Sequence, residues 1–196
     1  MKRISVFCGS SQGNGQKYID AARELGRILL KKQLGLVFGG GRVGLMGVVA
    51  RTVFDGGGEV IGVIPEFLAS KEVAFSELND LRIVGSMHER KALIISLSDG
   101  FIALPGGLGT IEEIFEVLTW AQLGIHNKPC GFLNIAGYFD PIINFLDHAL
   151  DQGFIDQKIR FSIFVEQKTD ILLDKFRDYK PSIIDKAKWA VKMSKI

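Results

Sequence analysis

Short apolar runs alternate along the chain with longer stretches in which apolar residues recur every three or four positions. The runs Ile4–Cys8, Leu34–Phe38, Glu59–Ile64, Leu81–Val84, Phe101–Leu104, Pro129–Ile135 and Phe161–Val165 read as strands. Phe101–Leu104 and Pro129–Ile135 have no polar face, the pattern of parallel strands covered on both sides. Between the runs lie helical periodicities. Tyr18–Lys32 places Ile19, Ala22, Leu25, Ile28 and Leu29 on one face. Further helices are predicted over Val48–Phe54, Met87–Ser98, Pro141 to about Gln152, and Asp170–Arg177. A helix opening at Thr110 carries Ile111, Ile114, Phe115, Leu118 and Ala121. Strand and helix alternate throughout, which predicts an α/β fold: a single-domain, Rossmann-like, doubly wound parallel sheet of about six or seven strands with right-handed crossovers. Residues 1–180 read as that domain, and 181–196 as a basic, weakly amphipathic peripheral tail.

Three strands end in glycine-rich loops: Gly9-Ser10-Ser11-Gln12-Gly13-Asn14-Gly15, Gly39-Gly40-Gly41-Arg42-Val43-Gly44-Leu45-Met46-Gly47, and Pro105-Gly106-Gly107-Leu108-Gly109. In a doubly wound sheet such ends gather at the carboxyl edge, where ligands bind. The third loop runs into a helix start, so free amides and the positive end of the helix dipole face the same point, an anion site. Glu112 and Glu113 lie within a turn of it. Thr110 and Glu113 also fit a capping box, a purely structural role. Gly39–Gly41 suits an anion nest, and Gly44 and Gly47 suit close packing of the second helix on the sheet. Ser10 and Ser11 are either ligand donors or turn residues, with Ser11 the better turn residue. Glu66–Asp80 is the least regular stretch, a lid-like segment that contains Glu72.

Ser86 and Glu89 form a second capping box. Arg90 and Lys91 follow in the first turns of that helix, where the dipole disfavours cations. A local conflict of this kind marks either a functional site or two solvated charges.

Composition narrows the field. The 196 residues suffice for one sizeable core, and 47% hydrophobic and 23% charged residues are ordinary for a globular protein. A net charge of +2 does not argue for nucleic acid or a membrane surface, so neither is expected as a partner. The chain shows no leader pattern and no apolar run of membrane-spanning length, and a cytoplasmic setting is expected. Cys8 and Cys130 both fall in strands and read as buried thiols. His88, His126 and His148 are scattered, and no metal or cofactor motif is present, so no metal and no cofactor are expected.

The segment from Pro105 to Glu113 resembles the PGGxGTxxE signature of the cytokinin riboside 5'-monophosphate phosphoribohydrolases, the LONELY GUY family, whose older name is possible lysine decarboxylase. The resemblance extends over roughly Ser5 to Ile155. It takes in Gly39–Gly47, the block Met87-His88-Glu89-Arg90-Lys91, and Leu118–Gly124. It implies hydrolysis of the N-glycosidic bond of AMP or an N6-modified adenosine 5'-monophosphate to free base and ribose 5-phosphate. It implies Arg90 and Glu113 as the catalytic pair. It further implies substrate contacts from Glu72, Lys91, the run Gly107, Leu108, Gly109, Thr110, Ile111 and Glu112, and Thr119. The glycine loops add Ser10, Gly40, Gly41 and Gly106 to the expected binding set, and the basic block adds Met87. Members of the family typically dimerise, so a homodimer is expected, with Phe115 and Trp120 as a possible contact. The alternative is a non-catalytic nucleotide-binding or sensing module on the same loops. A pyridoxal-dependent decarboxylase is rejected, because no lysine stands in an obvious Schiff-base context.

Overall fold

The computed structural model describes residues 1–70 and 74–181. Seven parallel strands form one sheet: β1 (Arg3–Phe7), β2 (Gly35–Phe38), β3 (Val60–Pro65), β4 (Asp80–Val84), β5 (Gly100–Ala103), β6 (Cys130–Leu133) and β7 (Ile163–Glu166). Their spatial order is β4-β3-β2-β1-β5-β6-β7. The order reverses between β1 and β5, so the ligand crevice of such a sheet falls at the carboxyl ends of these two strands. Their register pairs Ile4 with Gly100 and Phe7 with Ala103.

Both faces of the sheet are covered, which explains the strands' lack of alternation. On one face Ile4, Val6, Leu36, Phe38, Ile102 and Leu104 pack against helices α1 (Gln16–Lys31) and α2 (Gly44–Asp55). On the other, Phe7, Val37, Ile61, Val63, Phe101 and Ala103 pack against α4 (Met87–Leu97) and α5 (Leu108–Gln122). The remaining helices are the single turn α3 (Glu66–Leu68), α6 (Asp140–Asp151), α7 (Gln157–Ser162) and α8 (Thr169–Arg177). A fully buried Phe or Ile contributes about 1.5–3 kcal/mol, so β1 and β5, buried on both faces, are rigid mounts for their loops.

Several boundaries differ from the sequence expectation. Helix α5 begins at Leu108 with Gly107 as its cap residue, and it has no side-chain cap. Thr110 therefore lies inside the first turn and does not cap it, and the Thr110–Glu113 capping box does not form. Helix α2 begins at Gly44, four residues before the predicted start. Pro65, expected to stop the third strand after Ile64, is instead the last residue of β3, in register with Val84. Helix α7 had no sequence signal. Glu72 and residues 182–196, most of the expected tail, lie outside the described residues.

Candidate active site

Arg90 and Glu113 meet because of helix register. Arg90 stands one turn before Ile94 on α4, and Glu113 one turn before Val117 on α5; Ile94 and Val117 are core residues. Residues four apart share a helix face, so both charged side chains are carried onto the stripes that face the sheet. Parallel crossovers bring both helix starts to the carboxyl edge. There Arg90 Nη1 lies 3.0 Å from Glu113 Oε1, with the side chains 10% and 14% exposed.

Backbone carbonyls complete the arginine's shell. Its Nε donates to Val63 O at 3.1 Å and its Nη2 to Gly39 O at 3.4 Å, while Nη1 also approaches Met87 Sδ at 3.3 Å. A Cβ on Gly39 would stand 2.0 Å from Nη2, so glycine is required there for the guanidinium to fit. Burial pushes the Glu113 carboxyl above the ordinary carboxylate range, and the Arg90 charge opposes this. Burial, reinforced by the Glu113 charge, pushes the nearby Cys8 thiol up, which keeps it un-ionised and unreactive.

Lys91 Nζ is shared between Glu112 Oε1 at 2.7 Å and Glu116 Oε1 at 2.9 Å. The hydrogen bond that Lys91 donates to Glu112 is the first cause holding this ammonium's pKa up. The two cations that oppose the α4 dipole thus each have an acidic partner on α5. Ser86 Oγ accepts from Glu89 N as the capping box predicts, but Glu89 Oε2 accepts from Gly85 N rather than from the cap residue.

At the switch point lies a cleft of about 290 Å³, lined by Gly9 to Gly13, Tyr18, Leu45, Pro105 to Gly107 and Tyr138. Ser10 lies on its wall, and Ser11 Oγ accepts from Gly13 N, the turn role expected. Leu108 stands 91% exposed at the start of α5, and Gly107 and Gly109 are exposed beside it. Among the described residues, a Cβ on Gly107 or Gly109 would meet no atom within 4 Å beyond the chain neighbours and the helix's own backbone. Neither has a positive φ. Neither packing nor backbone geometry therefore demands glycine there. Thr110 is buried under the loop: a Cβ on Gly106 would stand 2.1 Å from its Oγ1. Ile111 is half-buried against the core, behind the helix start.

The second glycine loop is used differently from the anion nest expected. Gly40 and Gly41 are buried; Gly40 O accepts from Phe75 N, and Gly41 bridges Ala74. The structure thus places these two under the lid-like segment, not on the cleft. The first amides of α2 are taken by Gly9 O and Ser11 O. Gly44 and Gly47 admit the backbones of Ser10 and Arg42, not the sheet. Thr119 is exposed six residues beyond Glu113 on α5, with its hydroxyl donating to Phe115 O at 2.7 Å. Phe115 and Trp120 are half-buried against the chain's own core. Gly39, Val63 and Tyr138 were missed. The first two act through carbonyls, which side-chain patterns do not report.

Fold and site together define a Rossmann-like α/β protein with an uncapped glycine helix start beside a buried guanidinium–carboxylate pair. Residues 46–176 match the family model described as possible lysine decarboxylase. A cytokinin riboside 5'-monophosphate phosphoribohydrolase of Arabidopsis thaliana is 48% identical over 191 residues, covering 96% of this chain and 90% of its own. A probable phosphoribohydrolase of the same kind from Oryza sativa subsp. japonica is 51% identical over 180 residues, covering 92% and 79%. This chain belongs to the family of cytokinin riboside 5'-monophosphate phosphoribohydrolases. Among solved structures, the molybdenum cofactor binding protein of Rippkaea orientalis superposes with a TM-score of 0.66 at 20% identity, covering 91% of this chain and 98% of that one. The molybdenum cofactor carrier protein of Chlamydomonas reinhardtii does so with 0.66 at 19%, covering 90% and 96%. Those two likenesses concern the fold alone. No helix among the described residues is long and apolar enough to cross a membrane.

Proposed function

We propose that this protein hydrolyses the N-glycosidic bond of AMP or an N6-modified adenosine 5'-monophosphate, releasing the free base and ribose 5-phosphate. The observation that carries the reading is the 3.0 Å Arg90–Glu113 pair at the carboxyl edge, next to the open start of α5. Breaking a ribosyl–nitrogen bond sends the bonding electrons to the base and leaves oxocarbenium charge on the sugar, as in glycoside hydrolysis. The Glu113 carboxylate stabilises that charge and takes a proton from the attacking water, which balances the proton that the departing base takes up on the nitrogen freed. Arg90 favours the ionised form of Glu113 in opposition to burial and fixes its orientation.

The 5'-phosphate lies on the amides of Gly107, Leu108 and Gly109, and binding energy there orients the bond that breaks. Open space at the Cα atoms of Gly107 and Gly109 supports this, since a phosphate approaching the backbone is what a side chain would obstruct. Lys91 holds Glu112 and Glu116 and offsets part of their negative charge beside the site. This raised, doubly paired ammonium is the reverse of a Schiff-base lysine, which needs a lowered pKa. The decarboxylase wording of the family model therefore finds no counterpart at this site. The working unit is a homodimer, and exposed Leu123 and Ile125 at the end of α5 offer apolar surface for it.

The test is incubation of the purified protein with AMP, with N6-isopentenyladenosine monophosphate and with adenosine, following base release by chromatography. Release from a monophosphate but not from adenosine is expected. Folded protein that releases no base from either monophosphate overturns the reading.

A further inference from the structure

A turn far from the catalytic pair in sequence reaches the glycine loop through one hydrogen bond. Tyr138 Oη donates to Gly106 O at 2.7 Å. The turn that presents it is strongly constrained. Ala136, in a 3₁₀ turn at Ile135–Gly137, has φ 52° and ψ 36°, a left-handed conformation that is costly for any residue but glycine. Such strain persists only where the surroundings hold it. Here buried Asn134 does so, with Nδ2 donating to Asp140 Oδ1 at 2.7 Å and Oδ1 accepting from Phe139 N at 2.8 Å. The Tyr138 ring then stands edge-on to Tyr18, 5.7 Å between centroids, and forms part of the cleft wall.

The consequence is geometric. A trans peptide points its C=O and its following N–H in opposite directions. Tying Gly106 O to Tyr138 therefore fixes the Gly107 N–H on the other side of that peptide plane. Pro105 O is tied in the same way, accepting from Gly9 N at 3.1 Å. The carbonyls of Pro105 and Gly106 are thus turned to protein donors, while the Gly107 amide, at the uncapped start of α5, has no acceptor among the described residues. Two lone-pair dipoles that would repel an anion are thus held away from it.

We infer that Tyr138 is a positioning residue for a substrate phosphate: it anchors the Gly106 carbonyl and thereby aims the Gly107 amide. The inference rests on the reading of this loop as the 5'-phosphate site. It predicts that the hydroxyl serves the phosphate alone, with no direct part in breaking the glycosidic bond.

Y138F removes only the hydroxyl and leaves the ring contacts with Tyr18 and Phe139 in place. Calorimetric binding of AMP, ribose 5-phosphate and adenosine, compared within each protein, needs no turnover. AMP and ribose 5-phosphate are expected to bind Y138F about three- to tenfold more weakly, the size of one net hydrogen bond, while adenosine binds as before. Where AMP is hydrolysed, KM is expected to rise with kcat little changed. Taking the AMP-to-adenosine ratio within one variant cancels any general loss of folded protein. An unchanged ratio in Y138F overturns the inference, and so does a wild type that binds AMP no better than adenosine. A wild type that binds AMP tightly without hydrolysing it would remove the reaction and leave this inference standing.

Discussion

Arg90 Nη1 and Glu113 Oε1 are 3.0 Å apart, although the residues belong to different helices and neither helix capping nor surface salt bridging brings them together. The pair is held from the arginine's side: Val63 O and Gly39 O fix the guanidinium, and the carboxylate is set against it. Removing one partner of such a buried pair costs far more than losing a surface contact, about 3–5 kcal/mol.

This electrostatics gives a pH prediction. Burial raises the Glu113 pKa and Arg90 lowers it. If the carboxylate is the active form, kcat/KM falls on the acid side through a value above the ordinary carboxylate range. Replacing Arg90 with Gln removes the opposing charge, so the Glu113 pKa rises and the acid limb moves to higher pH. The substrate phosphate also titrates near ~6, but it contributes equally to both profiles. The displacement between the wild-type and R90Q profiles of kcat/KM is the measurement, and it should be upward.

Gly39 carries no expected substrate contact, yet its substitution should damage catalysis. In G39A the new Cβ collides with Arg90 Nη2, at 2.0 Å, and the guanidinium must shift. Misplacement of a catalytic group by about 1 Å costs on the order of 10²-fold. Steady-state kinetics should show that loss mainly in kcat, with AMP binding nearly unchanged.

Gly109 should behave in the opposite way. It is the second residue of α5, where Ala is favoured over Gly by less than the roughly 1 kcal/mol of a helix interior. G109A should therefore melt at the same or a higher temperature. Its methyl group projects into the space a phosphate would approach, so the KM for AMP should rise. Thermal denaturation and kinetics on one preparation check both halves.

Much of this was legible in the sequence, because apolar runs and glycine loops are local signals. Seven strand-forming runs are visible, and the misfit of Arg90 and Lys91 at a helix start reads as either a functional site or two solvated charges; the fold decides it by supplying acidic partners from α5. The start of α5 was misjudged because Gly107, Leu108 and Gly109 read as loop, although glycine at a helix start costs little when the sheet fixes the chain's exit. With the helix start placed at Thr110, Thr110 and Glu113 take on the spacing of a capping box; with Gly107 as the cap residue they do not. Gly40 and Gly41 read as an anion nest because their pairing with Ala74 and Phe75 is long-range. Helix α7 is too short for a periodicity to register. Tyr138 could not be found at all, since its partner is a backbone carbonyl 32 residues away.

The most direct test of the account is the pairing of turnover with binding in E113Q. The variant keeps the shape of the side chain and an oxygen for Arg90, but it has no charge to stabilise the oxocarbenium ion and no base for water. Base release from AMP should fall by about 10²- to 10⁴-fold, while calorimetric affinity for AMP is retained. Turnover in E113Q equal to that of the wild type would contradict the assignment of the reaction to this pair.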